Sequence, residues 1–144
     1  MSILSTPHPN RIGRYLRAGL IAGTVAVVVN IIIYVVLMAL NGSSTEAIVF
    51  GSIVIASLLP NLLAATVYFG LNHFAPRPRL ILTIGVIIFV LISVLPHLGI
   101  GPAPSSALSA LPEGFDIITV PLHIIFGLTA ITIMPTMAKG DSQS

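Results

Sequence analysis

Long apolar stretches alternate with short polar connections along the whole chain. Four stretches are long enough to be transmembrane helices, since a helix that crosses a bilayer needs about 20 mostly apolar residues. They cover about residues 16–40, 47–71, 80–100 and 117–138. Many of these residues are β-branched, which favours strands in water, but in lipid every backbone N–H and C=O must be satisfied within its own segment. The pattern therefore predicts an all-α protein, a polytopic membrane four-helix bundle.

Polar or proline-rich connections separate the predicted helices. Residues 41–45 read NGSST, a turn-forming cluster. Residues 72–79 carry two prolines and two arginines, and residues 101–116 are rich in proline and serine. We therefore expect a single transmembrane domain over residues 16–138, preceded by an N-terminal segment (residues 1–15) and followed by a short tail (residues 139–144).

The composition supports membrane insertion. The 144 residues are 56% hydrophobic and 7% charged, whereas soluble domains average about 25% charged residues. A soluble fold of this length could not cover its surface with so few charges. The chain has no cysteine, which excludes disulfides, thiolate chemistry and iron–sulfur clusters. The first apolar run is much longer than the core of a signal peptide and lacks a clear cleavage site, so we expect a retained anchor.

The few charges are divided by sign between the two sides of the predicted bundle. With four crossings, the N-terminus, the 72–79 connection and the C-terminus lie on one side. That side carries all six basic residues, which are Arg11, Arg14, Arg17, Arg77, Arg79 and Lys139. Three of the four acids, Glu46, Glu113 and Asp116, lie on the other side. The positive-inside rule then predicts that both termini face the cytoplasm, N-in and C-in. Nucleic acid is not an expected partner, because the arginines flank apolar spans and form no basic stripe with aromatic residues.

Four polar side chains are candidates for an intramembrane site: Asn30, Asn61, His97 and His123. From a helical rise of about 1.5 Å per residue, the two histidines lie roughly 25 and 22 Å from the basic side. Polar groups at such depth normally face the interior of a bundle. One interpretation is a small site that binds a lipid headgroup or relays protons, since imidazole titrates near neutral pH. The alternative is that these groups form hydrogen bonds between helices and fix their packing. We expect no cofactor and no metal, because no third imidazole or carboxylate lies nearby.

Two further features concern helix shape and packing. Pro60 lies deep in the second span, where its missing N–H bends a helix, and both ordinary bending and a gating hinge remain open as interpretations. The sequence GLIAG in the first span places Gly19 and Gly23 four residues apart. Small residues let helices approach closely, either within this chain or across a dimer.

Taken together, the spans resemble a known family. The matching stretches are RYLRAGLIAG, VVNIIIYVV, IVIASLLPNLLAATVYFGL, the turn APRPRLIL, LISVLP, and PLHIIFGLTAITIMPTMAK. In this order and spacing they resemble the DUF6069 family of small four-helix bacterial membrane proteins, over about residues 14–139. Asn30, Pro60 and His123 fall on the family pattern, whereas the Pro96-His97 pair and the 101–114 loop match less clearly. The resemblance implies a four-span fold in a bacterial cytoplasmic membrane, and it implies no activity.

The residues themselves match no enzyme template. No serine has an acid and a histidine in a recognisable arrangement, no acid lies within a span, and no Gly-rich phosphate loop or HExxH motif occurs. We therefore expect a non-enzymatic accessory or interaction subunit in the lipid bilayer, with a second copy or another membrane protein as its partner. The alternative is a small transporter, or a protein that binds lipid or another small molecule through the asparagine and histidine cluster.

Overall fold

The helices of the protein account for nearly all of its described residues. The computed structural model describes residues 11–98, 100 and 115–139. Within them lie α1 (Arg11–Leu40), α2 (Ala47–Phe74), α3 (Pro78–Val94) and α4 (Phe115–Lys139). A 3₁₀ turn, Leu95–Leu98, extends α3. All four helices, with α3 and its 3₁₀ turn counted together, are long and apolar enough to cross a membrane. The prediction of an all-α, four-span membrane bundle is confirmed, and the described residues contain no strand.

The first two helices extend past the predicted apolar spans. α1 begins at Arg11, within the predicted N-terminal segment, and α2 continues to Phe74. A helix satisfies its own backbone, so it can continue through the membrane interface after the apolar stretch has ended. α3 begins at Pro78, whose fixed φ and missing N–H suit a first helical position. Residues 1–10, the 101–114 loop and residues 140–144 lie outside the described part of the chain.

A glycine closes the C-terminus of α1. Gly42 has a φ of 66°, a left-handed conformation that costs glycine little. The N–H of Ser43 donates to the carbonyl of Met38 at 3.0 Å, and the N–H of Gly42 donates to the carbonyl of Ala39 at 3.3 Å. This pair of bonds satisfies carbonyls that the helix end would leave without partners. The chain can therefore reverse within the short connection to α2.

Buried positions on three helices recur every four residues. In α1 they are Ala18, Ala22, Ala26, Asn30, Tyr34 and Met38; in α2 they are Val49, Ile53, Ser57, Asn61 and Ala65; in α4 they are Ile118, Leu122, Phe126, Ala130, Met134 and Ala138. Residues four apart form one ridge along a helix, and such ridges pack into the grooves of neighbouring helices. In the structure α1 packs against α2 and α4, and α2 also packs against α4. These three helices form the core of the bundle.

The two glycines of α1 lie directly against α2. A Cβ atom built on Gly19 would lie 2.6 Å from Cβ of Ala65 and 2.9 Å from the carbonyl oxygen of Asn61. One built on Gly23 would lie 3.1 Å from Cα of Leu58. A methyl group added at Gly19 would therefore force α1 and α2 apart, whereas one added at Gly23 would require Leu58 to shift by a few tenths of an ångström. The small-residue face of α1 packs within the chain.

Aromatic contacts fix the antiparallel arrangement of α1 and α2. Near one end the ring of Tyr15 packs edge-on against Tyr68, with centroids 5.6 Å apart. Near the other end the ring of Tyr34 packs against Phe50, and its hydroxyl accepts the N–H of Glu46 at 3.0 Å. Tyr68 shares a core cluster with residues from the start of α3 and the end of α4. We call this end of the bundle the basic end, because it carries Arg14, Arg17, Arg77, Arg79 and Lys139.

α3 is the peripheral helix. It packs against α2 and α4, and it has no contact with α1 within the described residues. Two of its residues, Leu82 and Val86, are buried. Gly127 of α4 lies against it, and a Cβ added there would lie 2.9 Å from Cγ2 of Val90. Most of α3 therefore faces the surroundings of the bundle.

Candidate functional site

A layer of polar side chains crosses the core between α1, α2 and α4. The Nδ2 atom of Asn30 donates to Oγ of Ser57 at 3.1 Å. The Nδ2 atom of Asn61 donates to the carbonyl of Ser57 at 2.9 Å. The hydroxyl of Thr129 lies 3.3 Å from Oδ1 of Asn61 and 3.0 Å from the carbonyl oxygens of Ile125 and Phe126, so its one hydrogen is shared between Asn61 and its own helix. We call Asn30, Ser57, Asn61 and Thr129 the polar layer; it joins three helices through hydrogen bonds of the kind that stabilise membrane bundles.

The polar layer is closed to its surroundings. Asn30 and Asn61 are 0% exposed, and Ser57 and Thr129 are almost as deeply buried. Oδ1 of Asn30 has no hydrogen-bond partner in the described part of the chain. A buried carbonyl oxygen without a hydrogen-bond partner lowers the stability of the fold. The polar layer therefore stabilises the bundle less than it would if all of its polar atoms were bonded.

Pro60 lies next to the polar layer, inside α2. Because proline carries no N–H, the carbonyl of Ala56, four residues earlier, loses its usual helical donor. α2 nevertheless runs from Ala47 to Phe74 as one helix. Whether Pro60 acts as a bend or as a gating hinge stays a prediction.

The two histidines lie apart from the asparagines. Nδ1 of His123 forms its hydrogen bond within α4, with the carbonyl of Thr119 at 2.8 Å, and its ring packs against Phe89 of α3 with centroids 6.1 Å apart. His123 and Thr129 are six residues apart, which is about 120° around the helix and about 9 Å along it. His97 is half-buried in the 3₁₀ turn after α3. Among the described side chains, neither histidine forms a hydrogen bond to Asn30 or Asn61.

The sequence missed two members of the polar layer, Ser57 and Thr129. Ser57 lies four residues before Asn61, so the helical period alone places both on one face of α2. Thr129 had no comparable signal, because threonine is common in transmembrane helices and Thr129, like Thr24, Thr66 and Thr136, also bonds to carbonyls of its own helix. Only the packing of α4 against α2 selects it.

A second polar feature lies at the basic end, between the C-terminal part of α2 and the start of α3. It is a cavity of about 530 Å³, lined by Tyr68, Asn72, Arg77, Pro78, Arg79, Leu80 and Thr83. We call it the basic cavity. Both arginine side chains are exposed, while Thr83 is half-buried and Tyr68 is buried. The N-terminus of α3 opens into it, with backbone N–H groups that lack acceptors within the helix and a positive helix-dipole end.

An apolar groove runs between α3 and α4. It has a volume of about 200 Å³ and is lined by Val86, Ile87, Val90, Leu91, Ile124, Gly127, Leu128 and Ile131. We call it the apolar groove. Its outer walls, among them Leu91 and Leu128, are about half exposed. Gly127 forms its base, where the absence of a side chain lets α3 approach α4.

The basic cavity and the apolar groove lie on the same face of α3. Thr83, at the cavity, is followed by Val86 and Ile87 and then by Val90 and Leu91 in the groove. This spacing of three and four residues keeps side chains on one face of a helix. With a rise of about 1.5 Å per residue, the groove begins about 12 Å and ends about 20 Å along α3 from Pro78.

The described side chains offer no metal-binding group. No set of three or more histidine, cysteine, aspartate or glutamate residues comes together in them. The polar layer consists of amides and hydroxyls, which titrate outside the physiological range and are not nucleophiles without a base. The polar layer holds helix to helix, whereas the basic cavity presents positive charge and the apolar groove presents apolar surface.

Comparison with known proteins gives one match. No curated protein and no solved structure shows significant similarity to the chain. Residues 10–139 match the sequence profile described as "Family of unknown function (DUF6069)", which confirms the resemblance drawn from the spans. The chain has 144 residues, so the match covers nearly all of it and includes every described helix. This multi-pass membrane protein therefore belongs to the DUF6069 family.

Proposed function

We propose that this protein is a non-enzymatic membrane protein of a bacterial cytoplasmic membrane, and that it binds a phospholipid along α3. The observation that carries the proposal is that the basic cavity and the apolar groove lie one after the other along a single face of α3. A phospholipid has matching parts in the same order along its length, a charged headgroup followed by apolar acyl chains. The bilayer is thus both the surroundings of the protein and the source of its ligand.

The depth of the two features fits this ligand. The basic cavity lies at the start of α3, beside arginines that the positive-inside rule places at the cytoplasmic membrane surface. The apolar groove lies about 12–20 Å further along the helix, within the hydrocarbon region of a bilayer about 30 Å thick. A headgroup in the cavity therefore directs an acyl chain toward the groove. The volume of the cavity, about 530 Å³, falls in the range of small-molecule sites.

The role of an accessory subunit is less well supported. It relied on an exposed face of small residues on α1 that a partner helix could contact. Gly19 and Gly23 lie against α2, and Ala18 belongs to the core. Association with a second copy or another membrane protein would need a different surface.

Transport through the intramembrane asparagines also has less support than lipid binding. The amides of Asn30 and Asn61 are fully buried and are engaged with Ser57 and Thr129. The histidines lie elsewhere, with His123 bonded to its own helix. A substrate would have to break the hydrogen bonds that join three helices.

Lipid retention tests the proposal. The purified chain in mild detergent is loaded with phosphatidylglycerol, washed by gel filtration and examined by native mass spectrometry. We expect the wild type to retain a single phospholipid. The Leu91→Trp variant fills the apolar groove from its outer wall, and we expect it to lose most of the bound lipid.

Ile92→Trp is the matched control. Ile92 is the next residue on α3, is similarly exposed and lies outside the groove. We expect this variant to retain lipid as the wild type does, with an unchanged far-UV circular dichroism spectrum in both variants. Absence of bound lipid in the wild type, or equal retention by the two tryptophan variants, would contradict the proposal.

A further inference from the structure

The basic cavity has the composition of a phosphate site. Arg77 and Arg79 flank Pro78 at its mouth. A guanidinium presents its N–H groups in a planar fork that matches the oxygens of a phosphate, so two of them can bind one phosphate from two sides. The first free N–H groups of α3 add further donors and a partial positive charge.

No described carboxylate competes for these arginines. Glu46 is the single acid whose side chain is described, and it lies before the first residue of α2. The basic cavity lies near the last residues of the same helix, about 40 Å away along an axis of 28 residues. The two positive charges are thus not neutralised by this acid, and an anion from outside the chain can meet them.

Thr83 supplies an independent indication that the cavity receives a ligand. Thr24, Thr66 and Thr136 each donate their hydroxyl to the backbone carbonyl four residues earlier. Thr83 also lies within a helix, yet it makes no hydrogen bond in the described part of the chain and lines the cavity half-buried. Its hydroxyl remains available to a group in the cavity. Nearby, Asn72 uses one amide hydrogen for the carbonyl of Tyr68 at 2.8 Å and keeps its other hydrogen and its oxygen.

We propose that the basic cavity selects phospholipids of net negative charge, by binding the headgroup phosphate between Arg77, Arg79 and the hydroxyl of Thr83. This inference rests on the proposed lipid-binding function and names the headgroup class. Zwitterionic lipids also carry a phosphate, but their ammonium group brings a positive charge into a cavity that is already positive. The two charged arginines therefore set the selectivity, and the neutral Thr83 contributes affinity without selectivity.

Competition between two headgroups tests the selectivity. The purified full chain is incubated with equal amounts of phosphatidylglycerol and phosphatidylcholine that carry the same acyl chains, and bound lipid is quantified by native mass spectrometry. For the wild type we expect a preference of about tenfold for phosphatidylglycerol, because the ammonium group of phosphatidylcholine is repelled by the two exposed arginines. This preference decreases as salt concentration rises, because the arginines are exposed.

Three variants separate the contributions. The double variant Arg77→Gln/Arg79→Gln loses the preference but still binds lipid through the apolar groove. Arg14→Gln/Arg17→Gln removes the same charge from the same end of the bundle outside the cavity, and it keeps the preference. Thr83→Val weakens binding of both lipids roughly two- to tenfold and leaves their ratio unchanged.

The outcomes distinguish this inference from the proposed function. A wild type that binds no phospholipid overturns both. A wild type that binds both headgroups equally, or a preference that Arg14→Gln/Arg17→Gln removes as fully as the cavity variant does, overturns the headgroup site and leaves lipid binding in place. Inorganic phosphate is the third ligand tested. If it binds as tightly as phosphatidylglycerol, the cavity is a site for soluble phosphate and the inference is wrong.

Discussion

α3 and α4 are neighbours with opposite patterns of burial. Half of the membrane-spanning window of α4 is buried within the bundle, 50%, against 11% for α3. α3 is nevertheless the more apolar of the two. In a bilayer, apolar side chains gain little by leaving lipid for protein, and helices associate through close packing of small residues and through hydrogen bonds. In this protein the buried part of a helix therefore contains small and polar residues such as Gly127 and Thr129. The apolarity of a helix alone does not predict how much of it is buried.

The contrast divides the bundle into two mechanical parts. α1, α2 and α4 are joined by glycine contacts and by the polar layer, whereas α3 is attached mainly through Leu82 and Val86. Both the basic cavity and the apolar groove lie where α3 meets this core. We expect substitutions in the core to destabilise the fold and substitutions along α3 to change the proposed lipid binding.

Gly19→Ala is expected to be the most destabilising single methyl addition. The new Cβ would meet Ala65 at 2.6 Å and the backbone of Asn61 at 2.9 Å, and neither can move without separating α1 from α2. We expect a loss of about 1–3 kcal/mol in the free energy of unfolding, as for other overpacked sites. Unfolding in mixed micelles of increasing SDS fraction, followed by circular dichroism, measures it.

Gly85→Ala on α3 is the matched control for Gly19→Ala. An added Cβ at Gly85 meets nothing within 4 Å, and alanine favours the helix by about 0.5–1 kcal/mol. The stability of this variant should equal or exceed that of the wild type. Equal losses at the two glycines would mean that the close contact of α1 with α2 does not decide stability.

Asn61→Ala is expected to have the next largest effect. It removes the bonds of the amide to the carbonyl of Ser57 and to Thr129, and we expect a cost of about 1–2 kcal/mol in unfolding free energy. His123→Ala, measured in the same mixed micelles, should cost less than about 0.6 kcal/mol, because its hydrogen bond lies within its own helix. The reverse order would show that the histidine, and not the polar layer, joins the helices.

Gly127→Ala is expected to destabilise the protein less than Gly19→Ala or Asn61→Ala. Its Cβ would meet Cγ2 of Val90 at 2.9 Å, and the loosely held α3 can move to relieve this contact. We expect a cost below about 1 kcal/mol. A double-mutant cycle with Val90→Ala, which removes the contacting methyl, should give a favourable coupling energy. Additive effects would show that the contact of Gly127 with α3 is not what the methyl disturbs.

The helices could be predicted from the sequence. Which residues form the polar layer, the basic cavity and the apolar groove could be predicted only in part. The length and apolarity of each span predict a transmembrane helix, and the helical period places Ser57 on the same face of α2 as Asn61. Which residues of different helices meet depends on rotations and crossings that apolar sequence barely constrains, since a lipid-facing and a buried leucine look alike. For this reason Thr129 was missed. The arginines were recognised only as topology anchors, because the cavity between them forms only when α2 and α3 fold back on each other.

The four-span all-α fold and the gathering of the basic residues at one end could be predicted from the sequence alone, because both follow from the chemistry of single segments. The family could be predicted as well, from the order and spacing of those segments. The tertiary structure decided the rest. It placed Gly19 and Gly23 against α2 of the same chain. It also brought Asn30 and Asn61 to Ser57, to which both bond, and left His123 bonded to its own helix. It also placed a basic cavity and an apolar groove one after the other along one face of α3. These outcomes depend on distances between helices, and such distances are set by packing among residues far apart in the chain.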